Sequence, residues 1–268
     1  ISARSTTQYL YIDQDDTADS VCVKLASISN SHGITAFRTL VRHSSYSKNI
    51  RTGRYEITPS NGAFTVFRKI KSGMQAPVNL TIPSVRTLDK LADAVAGKMM
   101  FSSEELLNAL NDNETCRKYG YTPQTISCMF IPNTYDLYWN SSVDKLLDKM
   151  SEESKKFWTF ERKNKAKAME LTPEQVITLA SIVDEETAND GEKPMIAGMY
   201  YNRLKENMPL QADPTIKFAL KKFELKRIYH NMLNTDSPYN TYRNTGLPPG
   251  PIRIPTVKGI DAVLNYVH

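Results

Sequence analysis

Alternating apolar and polar residues occur at two places in the first hundred residues, and an amphipathic stretch follows each of them. Residues 8–12 and 78–82 alternate as half-buried β-strands do. Residues 17–27 and 87–97 then space their apolar positions as a helix does. A strand followed by a short helix, twice, predicts two copies of one small supersecondary unit.

The residues between these copies carry their own start and stop signals. We predict a helix over Ile34–His43, a turn entering a strand over Thr52–Ile57, and a helix over Ala63–Lys71 that ends at Gly73. Residues 1–100 are therefore predicted to form a compact α+β region. The residues alone leave open whether this region is a plain structural module or binds a carbohydrate of the cell wall.

Residues 101–170 predict a helical connecting segment, rich in charge and in helix-forming residues. Prolines at positions 123 and 132 interrupt it, because proline forces turns there. From residue 171 onward the pattern changes to two well-delimited helices and a tail rich in proline. An ordered proline-rich loop commonly shapes a surface cleft, because fixed φ angles lower the entropy cost of holding it in place. The fold class predicted for the whole chain is α+β, with a largely helical second part.

Composition places the chain among ordinary globular proteins. Its 268 residues are 40% hydrophobic and 24% charged, which excludes a disordered chain, and eleven glycines exclude a collagen-like one. The 34 Lys and Arg exceed the 29 Asp and Glu, so the net charge is +5 with neutral histidines. This charge is spread along the chain and is typical of a solvated basic surface. No stretch approaches the roughly 18 consecutive apolar residues that span a bilayer.

Several classes of site lack their sequence signatures. Cys22, Cys116 and Cys128 are odd in number and widely spaced, so we predict free buried thiols. The four histidines lie apart, and no serine elbow or glycine-rich phosphate loop is present. The basic run over residues 217–227 has the spacing of a solvated helix face, without a nucleic-acid-binding motif. We therefore predict no metal, no cofactor and no nucleic-acid partner.

A strong helix start stands at residue 172. Thr172 and Gln175 are placed to form a capping box, and Pro173 suits the first turn. The predicted helix runs from there to Thr187. A second helix is predicted to begin at Pro194.

The first of these helices ends in three consecutive acids. At about 100° per residue, Glu186 falls within the apolar stripe of the helix, while Asp184 and Glu185 point toward solvent or polar partners. The stripe consists of Val176, Leu179, Ile182 and Val183. A carboxylic acid at the edge of an apolar face loses hydration, which favours its protonated form. Cleavage of a glycosidic bond requires such an acid, because the leaving oxygen must be protonated. Alternatively, Glu186 pairs with an arginine and holds two elements together.

Polar residues cluster after the second helix. Asn202 and Arg203 stand at its far end, and the segments 208–215 and 237–242 mix small polar residues with prolines. This combination favours a site that hydrogen-bonds a neutral polar ligand such as a sugar. The alternative is ordinary loop structure, in which Asp213 caps a helix that begins at the following proline.

Five sequence blocks in order resemble the YceG-like endolytic murein transglycosylases. The blocks are Leu179–Thr187, Ala197–Leu204, Leu210–Thr215, Ser237–Tyr242 and Gly246–Ile252. Upstream, Thr52–Tyr55 and Phe130–Tyr135 are also similar to blocks of the family. The resemblance thus covers most of the chain, and it implies that residues 1–100 are a LysM-like region, residues 101–170 connect, and residues 171–268 are the catalytic region.

The resemblance implies cleavage of the linkage between N-acetylmuramic acid (MurNAc) and N-acetylglucosamine (GlcNAc) inside peptidoglycan strands, leaving a 1,6-anhydro-MurNAc end. The family's catalytic glutamate directly precedes the threonine of the first block, which here is Glu186. It acts first as an acid and then as a base, without metal or cofactor. The candidate substrate-binding residues are Asn202, Arg203, Gln211, Asp213, Ser237, Tyr239, Asn240 and Tyr242. A muramidase that uses water and a non-catalytic wall-binding scaffold are the alternatives.

The resemblance also implies a location in the bacterial cell envelope. The family is anchored in the inner membrane by an N-terminal helix, with the domain facing the periplasm, and we expect that helix to lie outside this chain. Cell-wall synthesis enzymes are possible partners, and a C-terminal segment of the family domain is expected to be missing. Three positions depart from the family pattern: Asp184, Asn133 and the pair Ser84-Val85.

Overall fold

The computed structural model describes residue 1 and residues 3–268, and this part of the chain forms two compact units. The first unit comprises Ile1–Leu80, Lys98–Ser102 and Tyr135–Ser142, and the second comprises Thr81–Gly97, Ser103–Thr134 and Val143–His268. Helices predominate and the sheets are small, so the α+β prediction is confirmed.

The predicted boundaries at residues 100 and 170 do not coincide with this division. The reason is a shared core: Ile131, Trp158 and Met169, from the predicted connecting segment, pack in the same cluster as Leu179 and Ile182. The connecting segment is therefore part of the second unit, apart from the short stretches that belong to the first.

Two-stranded sheets make up the sheet structure of the described residues, and the first of them is antiparallel. Strand β1 (Gln8–Ile12) pairs with β2 (Gly53–Ile57), with Leu10 opposite Tyr55. Strand β3 (Val78–Thr81) pairs with β4 (Thr134–Leu137). Leu10 and Ile12 of β1 and alternate residues of β3 are buried, as the alternation in sequence predicts.

The helices of the first unit are the predicted ones. They are α1 (Ala18–Ala26), α2 (Ser31–Arg42) and α3 (Ala63–Ser72). Gly73 ends α3 in the left-handed conformation at φ 74°, which glycine adopts without steric cost. Their core contains Phe37, Tyr46 and Phe67, whose rings meet edge to face.

The second unit is largely helical. It contains α4 (Leu88–Ala96), α5 (Ser103–Asn111), α6 (Asn113–Lys118), α7 (Val143–Phe157), α8 (Phe160–Ala168), α9 (Pro173–Glu186), α10 (Lys193–Lys205), α11 (Asp213–Leu220) and α12 (Val257–Leu264). The predicted second strand–helix copy is present as β3 and α4, but α4 belongs to this unit and β3 is divided between the units. The basic run is not one helix face, because α11 ends at Leu220.

Helix α9 is the centre of the second unit. Its capping box forms as predicted: Gln175 N donates to Thr172 Oγ1 at 3.2 Å, and Thr172 N donates to Gln175 Oε1 at 2.9 Å. Every residue from Val176 to Asp184 is buried, because α8, α10, α11 and α12 all pack around the helix. A helix buried on all sides has no single apolar stripe.

Asp184 fixes the end of α9 to its neighbours. Its carboxylate accepts hydrogen bonds from Thr256 N at 2.6 Å and Thr256 Oγ1 at 3.0 Å, and Thr256 caps α12. Lys193, in the first turn of α10, places its Nζ 2.9 Å from Asp184 Oδ1, and both side chains are almost fully buried. Gly259 gives this carboxylate room, because a Cβ there would lie 2.5 Å from Asp184 Oδ1.

Two further sequence predictions concern the cysteines and membrane-spanning segments. All three cysteines are free and buried, which confirms that prediction. Among the described residues, no helix is both long enough and apolar enough to cross a membrane.

Replacing Gly198 with alanine is expected to destabilise the second unit by roughly 1–3 kcal/mol, the cost of overpacking. A Cβ at this position would lie 1.8 Å from the carbonyl oxygen of Val267, so α10 and the C-terminal segment would have to separate. Urea unfolding measures the change. Gly191→Ala is the control, because its nearest neighbour is the side chain of Asn189 at 3.3 Å. Equal losses in the two variants would contradict the close approach.

Lys193→Met is expected to lower the free energy of unfolding by about 3 kcal/mol or more, because it leaves the Asp184 carboxylate buried without its cation. Lys258→Met removes an exposed pair with Asp190 at 3.1 Å and should cost less than about 1 kcal/mol. Thermal and urea unfolding of both variants test the difference. A loss in Lys193→Met no larger than in the control would show that the pair does not hold α9.

Candidate active site

The predicted catalytic acid stands where α9 leaves the core. Glu186 is the last residue of the helix and is exposed. Tyr200, on α10, is only 4% exposed and donates a hydrogen bond from its hydroxyl to Glu186 Oε1 at 2.7 Å. One carboxyl oxygen is thus held by a buried donor on the neighbouring helix.

The predicted orientation of the three acids is wrong. Asp184, expected to point away from the apolar face, is buried, whereas Glu186, expected within that face, is exposed. The stripe argument assumed a surface helix, but α9 is enclosed on all sides through Asp184 and emerges only in its last turn.

Glu185 makes the arginine contact that the sequence analysis considered for Glu186. Arg86 Nε donates to Glu185 Oε1 at 2.7 Å and its Nη2 donates to Oε2 at 3.2 Å, while Arg253 Nη1 donates to Oε1 at 3.4 Å. The Glu185 side chain is 13% exposed. Arg253 also donates to Ser84 Oγ at 2.9 Å and to Ser84 O at 3.2 Å. The departure at Ser84 is thus accommodated by an arginine contact.

A second carboxylate lies near Glu186. Tyr242 donates a hydrogen bond to Asp213, the first residue of α11. Asp213 does not cap that helix: Ala212 occupies the N-cap position and makes no side-chain cap, so the capping alternative is wrong. The Asp213 carboxylate is exposed, and Tyr242 is the donor bound to it.

Burial and the negative charge of Glu186 and Asp213 raise the pKa values of the two tyrosine hydroxyls beside them. Burial raises the pKa of Tyr200, and the hydrogen bond to Glu186 and the charge of Asp213 raise it further. Burial and the carboxylates of Asp213 and Glu186 raise the pKa of Tyr242 to about 12, against the opposing charge of Arg203. Both hydroxyls therefore stay protonated and act as donors at neutral pH.

Arg203 and Gln211 form the edge of the cluster. Arg203 Nη1 donates to Pro209 O at 3.0 Å and to Gln211 Oε1 at 3.4 Å. Gln211 is exposed and adopts the left-handed conformation at φ 53°. Its backbone N donates to Thr241 O at 3.2 Å, which joins this segment to the following loop.

The remaining predicted residues are dispersed. Asn240 is fully buried, and its side chain donates to Leu233 O and Thr235 O at 2.9 and 2.8 Å, so its predicted position on a cleft surface is wrong. Ser237 shapes the same loop by accepting from Tyr239 N at 3.2 Å. The polar side chains of Ser237 and Asn240 therefore form hydrogen bonds with the backbone of their own loop.

Asn202 is exposed but lies apart from the cluster. It is two residues beyond Tyr200, about 200° around the helix, whereas Arg203 at three residues returns to the same face. Tyr239 is half-buried, packs at a tilt against Phe218 with ring centroids 4.7 Å apart, and lines a separate cavity.

Sequence reasoning missed Tyr200, Arg86 and Arg253. Tyr200 lies 14 residues after Glu186, on the next helix, while Arg253 and Arg86 lie 68 and 99 residues from Glu185, so no spacing within one helix connects them with the acids. The one available signal is that Tyr200 lies within the second of the five sequence blocks.

The cavity beside Glu185 has a volume of about 1370 Å³. Arg86, Arg253, Phe218 and Tyr239 contribute to its walls. Within the part of the chain that the structure describes, Glu186 is not a wall residue of this cavity. The cavity and the Glu186 cluster are therefore neighbouring but distinct features of the second unit.

The chain is similar in sequence to curated proteins of named activity. Two curated proteins named endolytic murein transglycosylase are similar to the chain. The one from Bacillus subtilis is 27% identical, and the match covers 86% of this chain and 68% of that protein. The one from Streptococcus pneumoniae is 28% identical, and the match covers 87% of this chain and 47% of that protein. The chain thus spans about half of the second relative.

A solved structure has the same fold. The crystal structure of a yceG-like protein of Listeria monocytogenes superposes with a TM-score of 0.63 over 99% of this chain and 92% of that chain, at 24% identity. The sequence model of the YceG-like family matches residues 10–268. Since this match covers nearly the whole chain, the protein belongs to the YceG-like family.

Proposed function

We propose that the protein is an endolytic peptidoglycan transglycosylase, which cleaves the MurNAc–GlcNAc bond within glycan strands and leaves 1,6-anhydro-MurNAc ends. The similar curated proteins carry this activity in their names. One observation supports Glu186 as the catalytic residue of this proposal. Its carboxyl is exposed, and the buried hydroxyl of Tyr200 orients it through a hydrogen bond of 2.7 Å.

In the first step Glu186 acts as the acid. Tyr200 holds Oε1, so Oε2 is the oxygen available to face the glycosidic bond. The proton passes from the carboxyl to the bridging oxygen, which leaves with GlcNAc as the bond to C1 of MurNAc breaks.

In the second step the same group acts as the base. The resulting carboxylate takes the proton of the C6 hydroxyl of MurNAc, and the C6 oxygen bonds to C1. One proton is given and one is recovered, one C–O bond breaks and one forms, and no water is consumed. A single carboxyl suffices, unlike the two carboxylates of ordinary glycoside hydrolysis.

Because Glu186 is exposed, the bound substrate must help to shield its carboxyl group from water. Tyr200 and Tyr242 are protonated donors beside the site, and Arg203 supplies a positive charge at its edge. These groups are suited to hydrogen-bond sugar hydroxyl and amide groups.

The resemblance extends the proposal to the rest of the protein. We propose that the first unit is LysM-like and binds glycan, and that the protein acts in the cell envelope, held at the inner membrane by a helix outside this chain. Cell-wall synthesis enzymes are the partners that this location favours.

Hydrolysis by water is the second candidate, and Asp213 favours it. A second carboxylate near the acid is the arrangement that activates water in glycosidases. The charge of Asp213 acts on both Tyr200 and Tyr242, as that of Glu186 does. Hydrolytic products are heavier than anhydro products by one water, so their masses distinguish the two reactions. If Asp213 activates water, Asp213→Asn is expected to abolish cleavage.

Glu186→Gln is expected to reduce the release of anhydro-muropeptides from purified sacculi by at least about 100-fold, because glutamine cannot transfer a proton. Liquid chromatography with mass detection measures release, and the unfolding midpoint should stay unchanged, since the side chain is exposed. Glu206→Gln, the same change at another exposed acid, is the control. Undiminished release would remove Glu186 from the reaction.

Tyr200→Phe is expected to lower kcat about tenfold or more, because the charge-assisted hydrogen bond that orients Glu186 is lost. Tyr201→Phe is the matched control: it removes a buried hydroxyl that donates to Met169 O at 2.9 Å, outside the site. Steady-state kinetics with soluble glycan strands distinguish the two. If both variants lost activity in proportion to stability alone, Tyr200 would have no orienting role.

A further inference from the structure

The cavity of about 1370 Å³ in the second unit has no part in the proposed chemistry. The loop before α4, the end of α11 and the proline-rich loop around residue 251 enclose it. Every wall residue belongs to the second unit, so the cavity is a property of that unit alone.

The charge of the walls is positive. Arg86, Lys90, Lys221 and Arg253 contribute four cations, against the carboxylates of Asp89 and Asp93. Both acids have local partners. Asp93 accepts from Ser103 Oγ at 2.5 Å, and Asp89 lies in the first turn of α4, where the helix dipole stabilises negative charge.

Lys90 and Lys221 form no close ion pair, and the charge of Asp89 acts on both of them at longer range. Among the described residues, no carboxylate oxygen lies within 4.0 Å of the Lys90 or Lys221 ammonium group. Lys221 follows the end of α11 at φ 54°, and its Nζ lies 3.5 Å from the centroid of the Phe218 ring. Partial desolvation lowers the pKa of this ammonium group, against the opposing charge of Asp89. A bound anion would offset the hydration that the Lys221 ammonium group has lost, because an opposite charge nearby stabilises the charged form.

An aromatic wall adjoins these cations. Phe218 packs against Tyr239 and Phe223, with ring centroids 4.7 and 6.3 Å apart, and the Arg86 guanidinium lies 5.2 Å from the centre of the Phe223 ring. The cavity thus offers both apolar contact and positive charge. An occupant with carboxylates and short alkyl side chains matches both.

The cavity lies within reach of a polymer bound at Glu186. Arg86 and Arg253, in its wall, hold Glu185, the residue before Glu186. Helix α11 also joins the two features: Asp213 stands at its start and Lys221 just past its end, about 12 Å apart at 1.5 Å per residue.

We propose that this cavity binds the carboxylate-bearing peptide branch of the glycan strand whose backbone lies at Glu186, an inference that rests on the proposed function. The branch is anionic, partly apolar and attached beside the bond to be cleaved, so binding it adds affinity and fixes the position of the strand. Lys90 and Lys221 pair with its carboxylates, and Phe218 and Phe223 contact its alkyl groups.

A matched pair of substrates tests the proposal kinetically. Soluble glycan strands that keep their peptide branches are compared with the same strands after an amidase has removed the peptides. We expect the wild-type KM to be about tenfold lower for the branched strands, the effect of one charge-assisted hydrogen bond. In Lys221→Asn this KM ratio should fall close to one. Asparagine is chosen because it tolerates the left-handed conformation at this position.

Lys222→Asn is the control, since this exposed neighbour is not a wall residue of the cavity, and it should keep the wild-type ratio. Equal wild-type KM values for the two substrates would overturn the proposal while leaving the proposed function intact. An unchanged ratio in Lys221→Asn would overturn it as well.

A binding measurement separates this proposal from the proposed function. The free peptide branch is titrated into the Glu186→Gln protein, alongside the same peptide with its carboxylates converted to amides. Binding of the carboxylate form alone, weakened about tenfold by Lys221→Asn and unaffected by Lys222→Asn, supports the proposal even if no strand is cleaved. Absence of binding, or equal binding of the two peptides, contradicts it.

Discussion

The buried carboxylate of Asp184 determines how helix α9 ends. It joins α9 to α10 through Lys193 and to α12 through Thr256, at distances of 2.6–3.0 Å. A charge taken out of water is tolerated only with such partners, so the last buried turn of α9 has little freedom. The two acids that follow must then leave the core in fixed directions. Glu185 meets arginines, and Glu186 reaches the surface beside Tyr200.

Three consecutive acids therefore have three different environments. Asp184 is buried and paired with Lys193, Glu185 is held between two guanidinium groups, and Glu186 is exposed and accepts a hydrogen bond from Tyr200. The exposed group is precisely oriented on one oxygen and open on the other, which is what a group needs if it is to give and then recover a proton. The arginines that hold Glu185 also line the charged cavity, so the same contacts connect the proposed site of cleavage with the proposed peptide-binding cavity.

Local signals predicted the fold well, and tertiary packing explains what they missed. The capping box of Thr172 and Gln175 and the left-handed end of α3 at Gly73 depend on residues near in sequence, so the sequence alone predicts them. The environment of Glu186 depends on the helices that enclose α9, which periodicity in one helix cannot reveal. The resemblance to a family proposes Glu186 as the catalytic residue, which stays a prediction, and the burial argument for it was wrong. Arg86 lies 99 residues from Glu185, beyond any local pattern.

The central claim is that the protein breaks the glycosidic bond without consuming water. Digestion of purified sacculi in water enriched in ¹⁸O, followed by mass spectrometry of the released muropeptides, tests this claim most directly. The account predicts anhydro-MurNAc ends that contain no ¹⁸O, because the new bond to C1 comes from the C6 oxygen of the same sugar. Reducing MurNAc ends that carry one ¹⁸O would contradict it and assign the protein to the hydrolases.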